Sequence, residues 1–294
     1  MSNAALIEIA SVNLGNPGQF FACCGLLELA ERIWPGATGS FTHNNFLIQV
    51  PAVPDQADAG KILGALSGCE LTNTMTPAQR ARLAELSSLK NAAEFASEKK
   101  LLEKLRREEP LLLPAPFHLR LDWFLDDSAG GSRFKTWAGQ QSVLEIATAM
   151  KHAIETSNWR SLPESQWFSM AVRGCGVPFN LDSDLGAQGS ALDVGFSFDP
   201  LAASAATRIE TNARPIVELL AFVGLQRFRP RQLKSENRFL YRAWNRWLPP
   251  ELAAPAACGL LPCTGESYEF RLLYRTKYLK SFLPAIPYAG ALHD

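Results

Sequence analysis

The sequence predicts an α+β fold, made of two ferredoxin-like halves of β-α-β-β pattern with a helical insertion. Three observations carry this expectation. Capped apolar helical stretches alternate with short stretches of period-two hydrophobicity. "FFACCGL" at residues 20–26 and "LLAFVGL" at 219–225 share one pattern: bulky apolar residues, alanine, two more apolar residues, then Gly-Leu. Composition is globular, with 47% hydrophobic and 20% charged residues in 294, enough for one large domain or two ordinary ones. The expected division is 1–160, with the insertion at about 76–109, and a basic half over 161–294.

The elements follow in order. Residues 4–12 read as a first strand. Asn16 caps a helix, Pro17 suits its first turn, and Pro35-Gly36 stops it. The interior of this helix is apolar on most faces, so burial on more than one side is expected. "GSFTHNNFLIQV" reads as a hairpin turning at His43-Asn44-Asn45. Residues 56–66 suggest a short helix. Thr76-Pro77 opens a longer one, carried by leucines through to Pro110, whose alternating charges read as a solvated face. "PFHLRLDWFLDD" alternates like a strand from Phe117 to Phe124. "VLEIATAMKHAIE" is an amphipathic helix. Residues 160–205 read as a long loop, with a strand expected at 190–198. A second buried helix begins near Asn212. "NRFLYRAWNRWL" reads as a strand, an Ala-rich helix follows Pro250, and "SYEFRLLYRTKYL" reads as one further strand. The two heptapeptides then occupy matching places in similar halves, with each glycine allowing a close approach.

Net charge is zero, but it is unevenly spread. From Arg227 to Lys280 eleven basic residues face four acids, an excess of +7 that the rest of the chain balances. Aromatics are interleaved: Phe228, Phe239, Tyr241, Trp244, Trp247, Tyr274 and Tyr278. Basic side chains neutralise phosphates and aromatic faces stack bases. On a strand, Arg238 and Arg242 share one face and Phe239 and Tyr241 the other. That pattern suits a nucleic-acid surface, and equally a solvated face over core aromatics. "GSRFKTWAGQQ" is a second basic-aromatic stretch, where Arg133 and Lys135 alternate with Phe134 and Trp137 beside glycines. It reads either as a phosphate-touching loop or as a turn that buries Trp137.

Catalytic motifs are missing: there is no GxxxxGK[ST], HExxH or GxSxG. The six cysteines form no CxxC pair, which speaks against structural zinc, and Cys23-Cys24 reads as core packing. Asp122, Asp126 and Asp127, and the scattered Asp182, Asp184, Asp193 and Asp199, lack the companion ligands of a metal site. No cofactor is expected. His118 lies in a strand, His152 on a helix and His293 near the end; His43, at a turn, is a polar turn residue or a general base for RNA cleavage. No apolar run reaches the length of a membrane span, and the first residues lack a secretory pattern. A cytoplasmic protein without membrane contact is expected.

"NPGQFFACCGLLELAERIWPGATGSF", "LRLDWFLDD…GGSRFKTWAGQQS", "RPIVELLAFVGLQRFRP" and "RTKYLKSFLPA" stand in one order along the chain. Together they resemble a family of CRISPR-associated proteins of the type I-U systems, also called subtype I-G, described as large-subunit-like. The resemblance spans nearly the whole chain and is weakest at 76–107 and 160–205. It implies a non-catalytic subunit of a guide-RNA surveillance complex in antiviral defence. Such a subunit contacts guide RNA and target DNA, reads the short flanking motif, helps open the duplex and helps recruit a helicase-nuclease. Its other partners would be the backbone subunits and the subunits that cap the guide. At 294 residues the chain is short for a large subunit, and a smaller capping role is the alternative within the complex. Arg133, Lys135 and Trp137 lie in the most distinctive of these motifs and are the first nucleic-acid contacts expected. Arg227, Arg229, Arg231 and Lys277 come next, on charge and motif together, and Lys234, Arg238 and Arg242 complete the expected surface. The alternative outside this class is a metal-independent endoribonuclease of related fold that processes repeat RNA, with His43 as base.

Overall fold

The computed structural model describes residues 4–51, 57–89, 93–125, 132–137, 141–176, 178–186, 212–233, 237–275 and 278–290. It is α+β. The first fifty residues form β1 (Ala5–Ile9), α1 (Pro17–Ile33), β2 (Thr38–Thr42) and β3 (Asn45–Val50). The sheet is antiparallel in the order β1-β3-β2, so β3 lies between the two strands that α1 connects. The side chain of Asn16 accepts a hydrogen bond from the Gly18 amide at 3.0 Å, with Pro17 in the first turn. This satisfies an amide that has no partner inside the helix. Every residue of α1 from Pro17 to Ala30 is buried. Burial includes Cys23 and Cys24, whose thiols it pushes up, as suits packing residues.

The leucine-rich stretch after α2 (Ala59–Gly68) is two helices, not the one its spacing predicts. They are α3 (Pro77–Ser88) and α4 (Ala96–Glu108), with a 3-10 turn at Ala93–Phe95. Thr76 does cap α3, reciprocally with Gln79. The break lets the leucines meet each other: Leu83 and Leu86 of α3 bury against Leu102 of α4, with Met75, in a small core of their own. Arg82 reaches across to Glu98 at 2.9 Å.

Strand β4 (Leu111–Leu113) pairs with β5 (Leu119–Leu121). The strand expected from Phe117 to Phe124 is therefore shorter. His118 takes a left-handed φ of 46°, and the backbone turns into a 3-10 helix at Trp123–Leu125. Trp123 and Phe124, consecutive in this 3-10 helix, are both buried. Helix α5 (Val143–Thr156) follows as expected. Next come β6 (Val172–Arg173), a single turn α6 (Ser183–Gly186), and β7 (Asn212–Ala213), which pairs with β6. The strand expected at 190–198 lies outside the described residues. Helix α7 (Pro215–Gly224) leads to a sheet ordered β11-β10-β9-β8. Its members are β8 (Arg231–Gln232), β9 (Arg238–Trp244), β10 (Gly265–Arg275) and β11 (Tyr278–Phe282), and β12 (Ile286–Pro287) pairs with β10. "SYEFRLLYRTKYL" is thus two strands, β10 and β11, folded back on each other. Helix α8 (Pro250–Ala257) lies between β9 and β10. The described strands do not complete a ferredoxin-like unit in either half.

The two heptapeptides meet. A Cβ on Gly25 of α1 would stand 2.0 Å from the carbonyl oxygen of Leu220, and one on Gly224 of α7 would stand 2.1 Å from that of Phe21. The contact is reciprocal: each glycine admits the backbone of the other helix. Three residues past each glycine, Glu28 of α1 accepts from Arg227, in the turn after α7, at 2.6 Å. Phe20 stacks on Tyr241 at 4.3 Å and Phe222 on Phe179 at 4.3 Å. One continuous core takes residues from both helices and both of the larger sheets. Among the described residues no helix is long and apolar enough to cross a membrane.

Candidate nucleic-acid interface

The alternation expected of β9 is present. Phe239 and Tyr241 face the core, and Phe239 packs on Phe270 of β10. Arg238, Leu240 and Arg242 take the other face. The register extends that face sideways: Leu240 pairs with Arg231 on β8 and with Glu269 on β10, and Arg238 pairs with Arg271. Four arginines, Arg231, Arg238, Arg242 and Arg271, therefore share one side of the sheet. Leu240 is fully buried yet belongs to no apolar cluster.

The electrostatics of this face are crowded. Arg238 is ion-paired with the buried Glu269. Arg271, directly across from Arg238, is exposed, and like charges in that relation repel. Arg242 donates to Ser267 Oγ at 3.1 Å and to the Cys263 carbonyl at 2.9 Å. Its pKa is lowered by burial, with Arg231 adding like-charge repulsion. A polyanion lying on the face would relieve both repulsions.

The 132–137 segment reaches the sheet from elsewhere. Ser132 donates its amide to Phe124, and Lys135 donates to Ser132 at 3.0 Å, closing a tight turn. Phe134 is buried edge-on against Phe239 at 4.9 Å. Thr136 donates its hydroxyl to the Phe179 carbonyl. Trp137 is only 4% exposed, held among Trp123, Phe124, Phe179 and Phe222. This corrects the reading of Trp137 as a nucleic-acid contact: its faces are covered, and it anchors the segment. Lys135 lies over the Trp137 ring at 5.7 Å. Arg133 remains exposed at the turn and donates to Gln232 at 2.6 Å. Gln232 pairs with Phe239, so Arg133 approaches on the side opposite Arg231, Arg238 and Arg242.

Arg227 stands apart. It binds Glu28, whose side chain is 3% exposed, and reaches Glu251 at 3.5 Å. Glu28 also accepts from Arg32 at 3.1 Å. Together with His118, Arg120 and Gln226 they line a groove of about 330 Å³. Neither charge nor motif singles out Glu28. The aligned heptapeptides could have found it, because Glu28 and Arg227 each stand three residues after their glycine. Arg229 is exposed beyond α7, close enough to act on Asp122. Burial raises the Asp122 carboxyl, but hydrogen bonds from Arg120 and Gln226 outweigh it and hold the group below its usual range. Lys234 and Lys277 lie outside the described residues, as do Asp126, Asp127, Asp193, Asp199 and His293.

A buried polar cluster joins the starts of α1 and α7. Asn16 donates to Asp182 at 2.7 Å, and Arg214 binds Asp182 and Asp184, each at 3.1 Å. Glu218 accepts from the amides of Leu181 and Asp182. Burial first, then the nearby Asp182, pushes its carboxyl up to about 8. Asp182 and Asp184 are thus structural partners of Arg214. Among the described residues no group of His, Cys, Asp or Glu is placed to hold a metal ion. His43 is exposed at the β2–β3 turn with a φ of 47°. No protein-family model, no curated protein and no solved structure matches this chain.

Proposed function

We propose that the protein is a nucleic-acid-binding, non-catalytic subunit of a type I-U CRISPR surveillance complex. One observation carries the binding half of this reading: Arg231, Arg238, Arg242 and Arg271 are crowded on one side of the β8–β10 sheet. Basic side chains spaced on a rigid sheet position a phosphate backbone without reading its bases. The assignment to a CRISPR complex comes from the ordered motifs of the sequence, and guide RNA, target DNA, the other subunits and the helicase-nuclease are its implied partners. Reading the flanking motif and opening the duplex are the tasks that the resemblance adds.

Co-purification tests the proposal. The tagged chain is expressed with its neighbouring genes and a repeat array, and everything that elutes with it is identified. The expected result is a particle carrying further subunits and RNA of one defined length. Elution of the chain alone, free of RNA, would overturn the reading.

A further inference from the structure

The groove of about 330 Å³ beside the α1–α7 crossing is lined by three arginines and one carboxylate: Arg32, Arg120, Arg227 and Glu28. The arginines come from three places in the fold. Arg32 stands one turn after Glu28 on α1, Arg120 stands in β5, and Arg227 follows α7. None belongs to the β8–β10 sheet. Their ion pairs fix these side chains without using all of their donors. Arg227 is spent: it gives Nε and Nη2 to Glu28, and Glu251 lies 3.5 Å from its Nη1. Arg32 gives its Nε and Nη2 to Glu28 and keeps Nη1. Arg120 gives only its Nε, to Asp122 at 2.9 Å, and keeps both terminal nitrogens. That two-pronged edge is the one that meets an oxyanion bidentately. These three nitrogens have no partner among the described residues.

The carboxylates act as struts. Glu28 is 3% exposed and takes both Arg32 and Arg227, and Asp122 takes Gln226 at 3.0 Å as well as Arg120. Each orients a guanidinium in advance, so less rotamer freedom is left for a ligand to freeze. His118 adds a third donor group. It is exposed, lines the same groove and enters β5 with its left-handed φ of 46°. Leu119, between it and Arg120, is buried and anchors the stretch. Donors therefore arrive from two sides: Arg32 on α1, and His118 and Arg120 at β5. A planar carboxylate has two oxygens to offer them, whereas a terminal phosphate has three on a tetrahedral centre and carries more charge. A volume of about 330 Å³ is at the small end of ligand sites, which suits a single phosphorylated unit.

The geometry points to a binding site for a phosphate monoester in this groove, with the Arg120 fork and Arg32 Nη1 as its charged donors and His118 as the third. The phosphate is carried either by a small molecule or by the end of a nucleic-acid strand. The site shares no residue with the arginine face of the β8–β10 sheet and does not depend on what that face binds.

Isothermal titration calorimetry on the full chain tests it. The probes are a pentose monophosphate and a thymidylate trimer with a terminal phosphate, each beside its unphosphorylated counterpart, and acetate. At least one monoester is expected to bind one to one, with a Kd of about 1 mM or tighter. Binding of the pentose monophosphate assigns the site to a small molecule, and a gain from the terminal phosphate on the trimer alone assigns it to a strand end. Arg120→Gln should weaken the monoester about tenfold, the low end for a charged hydrogen bond because Arg120 is exposed. Arg120→Lys keeps the charge without the fork and should lose several-fold. His118→Asn should weaken binding too, and asparagine accepts the left-handed backbone, so the fold is kept. Arg160→Gln removes an exposed arginine that does not line the groove and should change nothing. The site is wrong if neither phosphorylated probe binds better than its counterpart, if acetate binds as tightly, or if Arg120→Gln and His118→Asn bind like the parent. An equal loss in Arg160→Gln would reduce the attraction to a general positive field and overturn the groove.

Discussion

Replacing Gly25 with alanine tests the frame on which both basic surfaces are mounted. The new Cβ would lie 2.0 Å from the Leu220 carbonyl oxygen. Non-bonded contact begins near 3.5 Å, so α1 and α7 must separate by about 1.5 Å at their crossing. The obstructing atom is backbone inside a fully buried helix, and no side-chain rotation relieves it. Overpacking of this kind costs about 1–3 kcal/mol, occasionally more. Moving the helices also strips dispersion contacts from their flanks, while alanine returns about 1 kcal/mol of helix propensity. A net loss of about 2–4 kcal/mol is expected, or a Tm lower by roughly 3–7 °C for a chain of 294 residues. Thermal unfolding followed by far-ultraviolet circular dichroism measures it. Gly64 is the internal control. It lies inside α2, where an added methyl group would meet nothing within 4 Å, so Gly64→Ala should stabilise by up to about 1 kcal/mol. The same substitution then has opposite signs at two helical sites. A Gly25→Ala protein as stable as its parent would refute the close crossing.

Two further outcomes follow from buried groups. Glu218 has its carboxyl raised from an ordinary 4.5 to about 8, so the folded chain keeps a proton that the unfolded chain releases. Its contribution is complete below about pH 4.5 and is lost as pH rises toward 8, on the order of a few kcal/mol; urea titrations across that range check the sign, and stability rising with pH over this window would contradict it. Trp137→Ala should cost about 3–5 kcal/mol by leaving a hole among four aromatic rings, whereas Trp137→Phe should cost less, because the indole N–H is buried without a hydrogen-bond partner among the described residues; urea midpoints rank the two variants.

What could be read in the sequence was whatever depended on near neighbours in the chain. Asn16 and Pro17 fix the start of α1, and Thr76 and Gln79 fix that of α3, because a cap is made within four residues. The two faces of β9 follow from alternation alone. What could not be read depended on distant partners. The leucines of α3 and α4 keep a helical spacing across the break, and only their mutual packing shows that the chain turns back. "LLYRTKYL" carries no glycine or proline at the point where β10 gives way to β11. Trp137, two residues from a lysine and two from a glycine, reads either as a contact or as the buried anchor of a turn, and nearby residues do not decide between them. Phe179 and Phe222, which bury it, come from other parts of the chain.

The same distinction decides which arginines matter. The excess of +7 between Arg227 and Lys280 treats every basic residue alike, but the fold does not. Arg227 is committed to Glu28, and removing it leaves that buried carboxylate with Arg32 as its remaining cation, at a cost of about 1–3 kcal/mol. A binding defect in an Arg227 variant would therefore report damage at the α1–α7 crossing as readily as a lost phosphate contact. Arg238 is likewise tied to Glu269. Arg271 is exposed, and Arg242 is anchored through neutral groups, so neither has an ion pair with a carboxylate among the described residues of this face. Under the proposed function, theirs are the charges a phosphate backbone would use. Mutation of Arg271 and Arg242 speaks about binding, and mutation of Arg227 speaks first about folding.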